Sequence, residues 1–139
     1  MSENPYSPRA FFTGLGDRLP RVLLSPQKYV QGPGALNHLG EHLSLLAVEK
    51  VAVLGSKRCL ENEAARAINS IKSVGIDVAI AQFGGECSLY EIENQVETLS
   101  PEKPDFLVAL GGGKTVDAGR CIAERLSVPI VIAPTLASN

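Results

Sequence analysis

Residues Ala109-Leu110-Gly111-Gly112-Gly113-Lys114-Thr115-Val116-Asp117 carry the clearest chemistry in the chain. An apolar run from Phe106 to Leu110 enters three consecutive glycines, then a lysine, a threonine and helix-forming residues. Bare backbone N–H groups beside an ammonium, at the start of a helix, suit an anion, above all the phosphates of a nucleotide. Consecutive glycines are entropically costly unless backbone must approach something closely. Lys114 adds positive charge to the positive end of the helix dipole, an unfavourable placement unless an anion answers it. Neither standard phosphate motif fits. A P-loop, G-x-x-x-x-G-K-[ST], would need its first glycine at Val108, and a G-x-G-x-x-G fingerprint would need its last at Val116. A plain glycine-rich turn with an exposed lysine is the alternative reading of the same residues.

Other reactive residues give weaker signals. Asp117 is expected in the first turn of the helix that follows, where a carboxylate favours the dipole in any case. His38 and His42 stand four apart, on one helix face, but His38-Leu39-Gly40-Glu41-His42 is not H-E-x-x-H and no further ligand accompanies it. A solvated helix face is expected there rather than a metal. Cys87 follows Gly84-Gly85-Glu86 and precedes an expected helix start, a position that can lower a thiol pKa.

Strands and helices must alternate to position these groups. Lys28-Tyr29-Val30-Gln31 reads as a short strand, and Leu36, Leu39, Leu43 and Leu46 as one face of a helix. Val51–Leu54 reads as a buried strand, residues 59–74 as a helix capped by Gly75, and Asp77–Phe83 as a strand. Ser88 and Glu91 suggest a capping box for the next helix, whose apolar face is Leu89, Ile92, Val96 and Leu99. Phe106–Leu110 is then a strand, Thr115–Leu126 a helix, and Pro129–Ala133 a last strand. Gly119 inside that helix costs roughly 1 kcal/mol relative to Ala, and close helix–sheet packing would explain it. The alternation predicts an α/β fold with a mostly parallel sheet covered by helices. Ligands bind such sheets beyond the carboxyl ends of the strands, here Gly55-Ser56, Gly84 to Ser88, Gly111 to Thr115 and Pro134 to Asn139.

Composition narrows the partners. A net charge of −2 over 139 residues, with no cluster of Lys and Arg, speaks against nucleic acid. The longest apolar runs are far short of a membrane span. Pro5, Pro8, Gly14, Gly16 and Asp17 interrupt the N-terminus, which does not read as a secretory leader. Cys59, Cys87 and Cys121 form no C-x-x-C pair and are expected as free thiols in a cytoplasmic protein.

Four segments carry a family resemblance: Ser25-Pro26-Gln27-Lys28-Tyr29-Val30-Gln31-Gly32, Phe83-Gly84-Gly85-Glu86-Cys87-Ser88, Gly111 to Asp117, and Pro134-Thr135-Leu136-Ala137-Ser138. In this order they resemble the N-terminal domain of the glycerol dehydrogenases, within the iron-containing (group III) alcohol dehydrogenase superfamily. The resemblance runs from Ser25 onward and leaves residues 1–24 as an N-terminal extension. It implies a Rossmann-like dinucleotide-binding domain over residues 25–139, incomplete at its C-terminal end, with helices on both faces of the sheet. It further implies NAD as cofactor, a second, helical domain carrying a divalent metal (usually zinc), and oxidation of the polyol glycerol to dihydroxyacetone by a homo-oligomeric enzyme. Gly112, Gly113, Lys114 and Thr115 would line the pyrophosphate, with Gly111 and Asp117 completing that corner. Thr135 and Ser138 would approach the cofactor from the next strand end, and Gly55-Ser56 would face the adenine ribose.

Departures from the family pattern sharpen these expectations. Ser56 stands where the family usually has Asp, whose carboxylate accepts from the ribose 2′-OH and repels a 2′-phosphate; binding of NADP as well as NAD is therefore expected. Arg120 replaces a usual Lys and keeps the charge. The family's metal ligands, an Asp and two His, fall beyond Asn139, and His38 and His42 do not correspond to them. No catalytic or metal-binding residue is thus expected in this chain, which alone should not catalyse the reaction. The rival readings are another superfamily member (a glycerol-1-phosphate dehydrogenase or a dehydroquinate synthase-like protein) and a non-catalytic nucleotide-binding module. The segment Phe83 to Ser88 argues against the first rival.

Overall fold

Strands Lys50–Ser56 (β1), Asp77–Phe83 (β2), Phe106–Gly111 (β3) and Ile130–Pro134 (β4) lie parallel in one sheet, in the spatial order β2-β1-β3-β4. The structure is a computed structural model that describes residues 28–135. It divides into two units, Met1–Gln31 and Gly32–Asn139. In the first unit only residues 28–31 are described; the expected boundary after residue 24 lies outside the described residues. Lys28–Gln31 forms no strand, contrary to expectation. Its β-favouring composition finds no ladder among the described residues, and a strand without a partner is not held as one.

The central strands are buried on both faces. Val51 to Leu54 and Leu107 to Leu110 are fully buried, as continuous apolar runs in a parallel sheet should be. Side chains alternate between faces and so build two cores. One joins Val51, Val53, Val108 and Leu110 to Leu43, Ile68 and Ile71. The other joins Ala52, Leu54 and Leu107 to Phe83, Ile92, Leu99 and Ile122.

Among the described residues five α-helices supply the covers: Leu39–Ser44 (α1), Lys57–Glu61 (α2), Glu63–Ser73 (α3), Leu89–Leu99 (α4) and Gly113–Leu126 (α5). The first is shorter than its leucine pattern suggests, because Ala35–His38 winds as a 3-10 turn before it. The single helix expected over residues 59–74 is instead α2 and α3, broken at Asn62 (φ −122°, ψ −93°). The amide of Asn62 donates to the carbonyl of Arg58 at 2.7 Å. It thereby takes the acceptor that the Asn62 N–H would use in a continuous helix. Gly75, with φ +82°, ends α3 as expected. The N–H groups of Ile76 and Gly75 return to the carbonyls of Ile71 and Lys72 in a Schellman arrangement.

Two glycines record close packing. A Cβ on Gly119 would stand 2.6 Å from the Ala109 Cβ, so α5 lies directly on β3, as its mid-helix glycine suggests. A Cβ on Gly40 would stand 2.1 Å from the Ser70 carbonyl oxygen. The Gly40 N–H donates to Ser70 Oγ at 2.9 Å, joining α1 to α3.

Candidate functional site

Strand order creates the site. From β1 the chain runs to β2 on one side, then crosses back to β3 on the other side of β1. Connections leaving neighbouring strands in opposite directions open a crevice at their carboxyl ends. Register places the expected residues there: Ser56 lies beside Phe83, Gly55 beside Leu110, and Gly111 beside Pro134. The Thr135 N–H donates to the Gly111 carbonyl at 3.0 Å, tying the end of β4 to the glycine corner. Ser138 lies outside the described residues.

The corner itself is bare backbone. Gly112 caps α5 in an extended conformation (φ −79°, ψ −177°) and offers no side-chain cap. Val116 makes the first bond back, to the Gly112 carbonyl, at 3.1 Å. The N–H groups of Gly113, Lys114 and Thr115 precede it and have no intrahelical acceptor. A Cβ on Gly113 would meet nothing within 4 Å, so the turn opens outward. Thr115 faces the other way: it is 5% exposed and packs under Gly111.

Helix α5 begins two residues earlier than Thr115. Asp117 therefore lies in the second turn rather than the first, where the dipole has largely faded. Its carboxylate instead accepts from Arg120 at 3.2 Å. Ser56 caps α2, its hydroxyl accepting from the Cys59 N–H at 3.3 Å. Lys57 and Arg58 follow it, exposed.

Lys114 does find an anion. Its ammonium lies 2.6 Å from Glu86 Oε1, a carboxylate from the turn after β2. The sequence places Glu86 in the strand-end segment Gly84 to Ser88 but gives it no role of its own, because only strand order brings that turn to α5. The base of the same turn is held by Glu91. Its Oε1 accepts from the Gly84 N–H at 2.7 Å and from Gln95 Nε2 at 2.8 Å. Gln95 also donates to the Gln82 carbonyl at 2.7 Å. Ser88 Oγ accepts from the Glu91 N–H at 3.2 Å, but the Glu91 side chain does not return to Ser88. The capping box is therefore half formed, because the Gly84 N–H competes for the carboxylate.

The Cys87 thiol is raised rather than lowered, by slight burial first and then by neighbouring Cys121 and Asp117. His38 Nδ1 lies 3.2 Å from Glu41 Oε1, and no group of three or more His, Cys, Asp or Glu able to hold a metal occurs among the described residues. Two open hollows lie at the opposite, amino-end side of the sheet, along Glu49, Lys50, Ile76 and Asp77. That is not where sheets of this topology bind ligands.

Residues 26–139 match the family described as iron-containing alcohol dehydrogenase. The chain is 40% identical over 119 residues to a glycerol dehydrogenase of Escherichia coli O6:H1, covering 86% of this chain and 32% of that protein. It is 39% identical over 114 residues to a glycerol dehydrogenase of Thermotoga maritima, covering 82% of this chain and 30% of that one. The crystal structure of glycerol dehydrogenase from Schizosaccharomyces pombe superposes with a TM-score of 0.78 at 32% identity, over 84% of this chain and 30% of that chain. The chain thus spans about a third of the length of these curated relatives.

Proposed function

Because the chain belongs to the iron-containing alcohol dehydrogenase family, we propose that residues 25–139 form the dinucleotide-binding domain of a polyol dehydrogenase acting on glycerol. NAD is the cofactor and, when bound, supplies the hydride acceptor. One observation carries this reading: α5 starts at the topological switch point with an uncapped glycine N-terminus and a lysine in its first turn. Helix starts of this kind hold phosphates through free N–H groups and the dipole.

The residues divide the work. Gly111, Gly112 and Gly113 keep the backbone accessible, and the N–H groups of Gly113 and Lys114 face the pyrophosphate. Lys114 neutralises its charge, while Thr115 packs beneath the turn and holds its shape. Ser56, level with the corner on β1, faces the adenine ribose. Thr135 and Ser138 close the cofactor from the β4 side, and Asp117 with Arg120 borders the corner. Without a carboxylate at Ser56, and with Lys57 and Arg58 beside it, the site accepts NADP as well as NAD.

The family's divalent metal does not fit the described residues, which hold no group of three or more His, Cys, Asp or Glu able to take it. The resemblance favours a cytoplasmic, homo-oligomeric enzyme for the whole protein.

Calorimetric titration of the chain with NAD tests the reading. Binding is expected, and Lys114→Met is expected to weaken it about tenfold through loss of a charge-assisted hydrogen bond. A folded chain that binds neither NAD, NADP nor ADP would sink the proposal.

A further inference from the structure

Glu86 and Lys114 come from different parts of the sheet. Glu86 follows β2 and Lys114 opens α5 after β3, while β1 lies between those strands. Their ion pair, at 2.6 Å, therefore spans the carboxyl end of β1, where Ser56 begins its turn. It closes over the crevice that the strand order creates. Resting on the nucleotide reading above, we propose that Glu86 gates this site: its carboxylate holds Lys114 in place of a phosphate, and an incoming nucleotide must displace it.

Three observations support a gate over a fixed brace. The pair is exposed on both sides, 64% for the lysine side chain and 75% for the glutamate, and exposed pairs of this kind are weak. The turn that carries Glu86 is anchored at both ends, with Gly84 on the Glu91 carboxylate and Ser88 on the Glu91 N–H. Between these anchors Gly85 has φ +108°, and a Cβ there would touch nothing within 4 Å. The Ser88 N–H also donates to the Glu86 carbonyl at 3.0 Å, so the backbone stays fixed and a rotation of the exposed Glu86 side chain is enough to release Lys114. The other nearby carboxylate, Asp117, is engaged by Arg120. Lys114 consequently meets one intramolecular competitor among the described residues, and that competitor can leave.

A diphosphate has the advantage in this exchange. It offers oxygens to Lys114 and, at the same time, to the free N–H groups at the start of α5, which Glu86 does not engage. Displacement then sets part of the apparent affinity, because the binding-competent state is the one with Glu86 released.

The experiment is a double-mutant cycle on the full chain, with Glu86→Gln, Lys114→Met and the pair combined. NAD and ADP are the probes, binding is measured by calorimetry at low and moderate salt, and folding is checked by circular dichroism. Glu86→Gln is expected to bind both about two- to fivefold tighter at low salt, the range an exposed ion pair represents. The gain should shrink as salt rises and vanish in the Lys114→Met background. Equal or weaker binding by Glu86→Gln, with Lys114→Met still weakened, overturns the gate and leaves the phosphate reading standing. Binding by Lys114→Met equal to that of the unmodified chain overturns both.

Discussion

Gly111 and Thr115 stand so close that a Cβ on the glycine would lie 2.9 Å from the threonine hydroxyl oxygen. Thr115 is buried by the fold and cannot swing away, so the glycine is set by packing as well as by the turn. Gly111→Ala is expected to cost about 1–3 kcal/mol through overpacking, read from urea unfolding. Gly113→Ala two residues on, where a Cβ meets nothing within 4 Å, should be neutral or stabilise by up to about 1 kcal/mol. Equal losses in both variants would show that the corner is not shaped as described.

Asp105 supplies the clearest pH dependence. Its carboxylate accepts from the N–H groups of Glu49 at 2.8 Å and Lys50 at 2.9 Å, joining the starts of β3 and β1. The Lys50 bond first, then the Glu49 bond, holds its pKa below the ordinary value. A depressed folded-state pKa contributes stability that is complete above the unfolded value of about 3.9 and is lost as pH falls through the lower folded value. Asp105→Asn should therefore flatten the acid limb of the stability curve while leaving its slope near neutral pH unchanged. Urea midpoints measured from pH 7 downward decide this, and parallel acid limbs would count against it.

A substitution at Ser56 tests the proposed cofactor site separately from folding. Asp is as good an N-cap as Ser, so Ser56→Asp should retain the α2 cap and the unfolding midpoint. On the proposed placement it should weaken NADP relative to NAD by about tenfold, roughly 1.4 kcal/mol of added repulsion. Calorimetric dissociation constants for both cofactors give the ratio. A strong NAD preference already present with Ser56 would refute the expected tolerance of NADP.

Thiol chemistry should sort the cysteines. Cys87 and Cys121 are exposed and Cys59 is buried. Burial, followed by the Glu63 charge, raises the Cys59 thiol. A disulfide reagent at pH 8 should modify two thiols in the native chain and the third only after denaturant is added. Cys87, itself raised in pKa, should react more slowly than a free model thiol. Rapid modification of all three would contradict the packing around Cys59.

Much of this architecture was legible in local pattern. Val51–Leu54 and Phe106–Leu110 read as buried strands because a parallel sheet covered on both faces needs uninterrupted apolar runs. Gly75 marked a helix end because only a left-handed residue closes a helix in that way. Local pattern failed where a side chain had a competing partner. Asn62 took the Arg58 carbonyl and broke one helix into two, and Glu91 left its expected cap for the Gly84 N–H. Lys28–Gln31 had strand composition but joins no strand among the described residues.

The glycine corner shows the same division most sharply. Its residue types and order led to the proposed anion cradle, since unhindered N–H groups and a lysine at a helix start follow from covalent structure and local geometry. What faces that cradle was decided by strand order. The sequence separates Glu86 from Lys114 by 28 positions, and only the crossover from β2 past β1 to β3 brings them together. The reason is physical: hydrogen-bonded turns are written in neighbouring residues, whereas a contact across a sheet depends on which strands the burial of two apolar faces sets side by side.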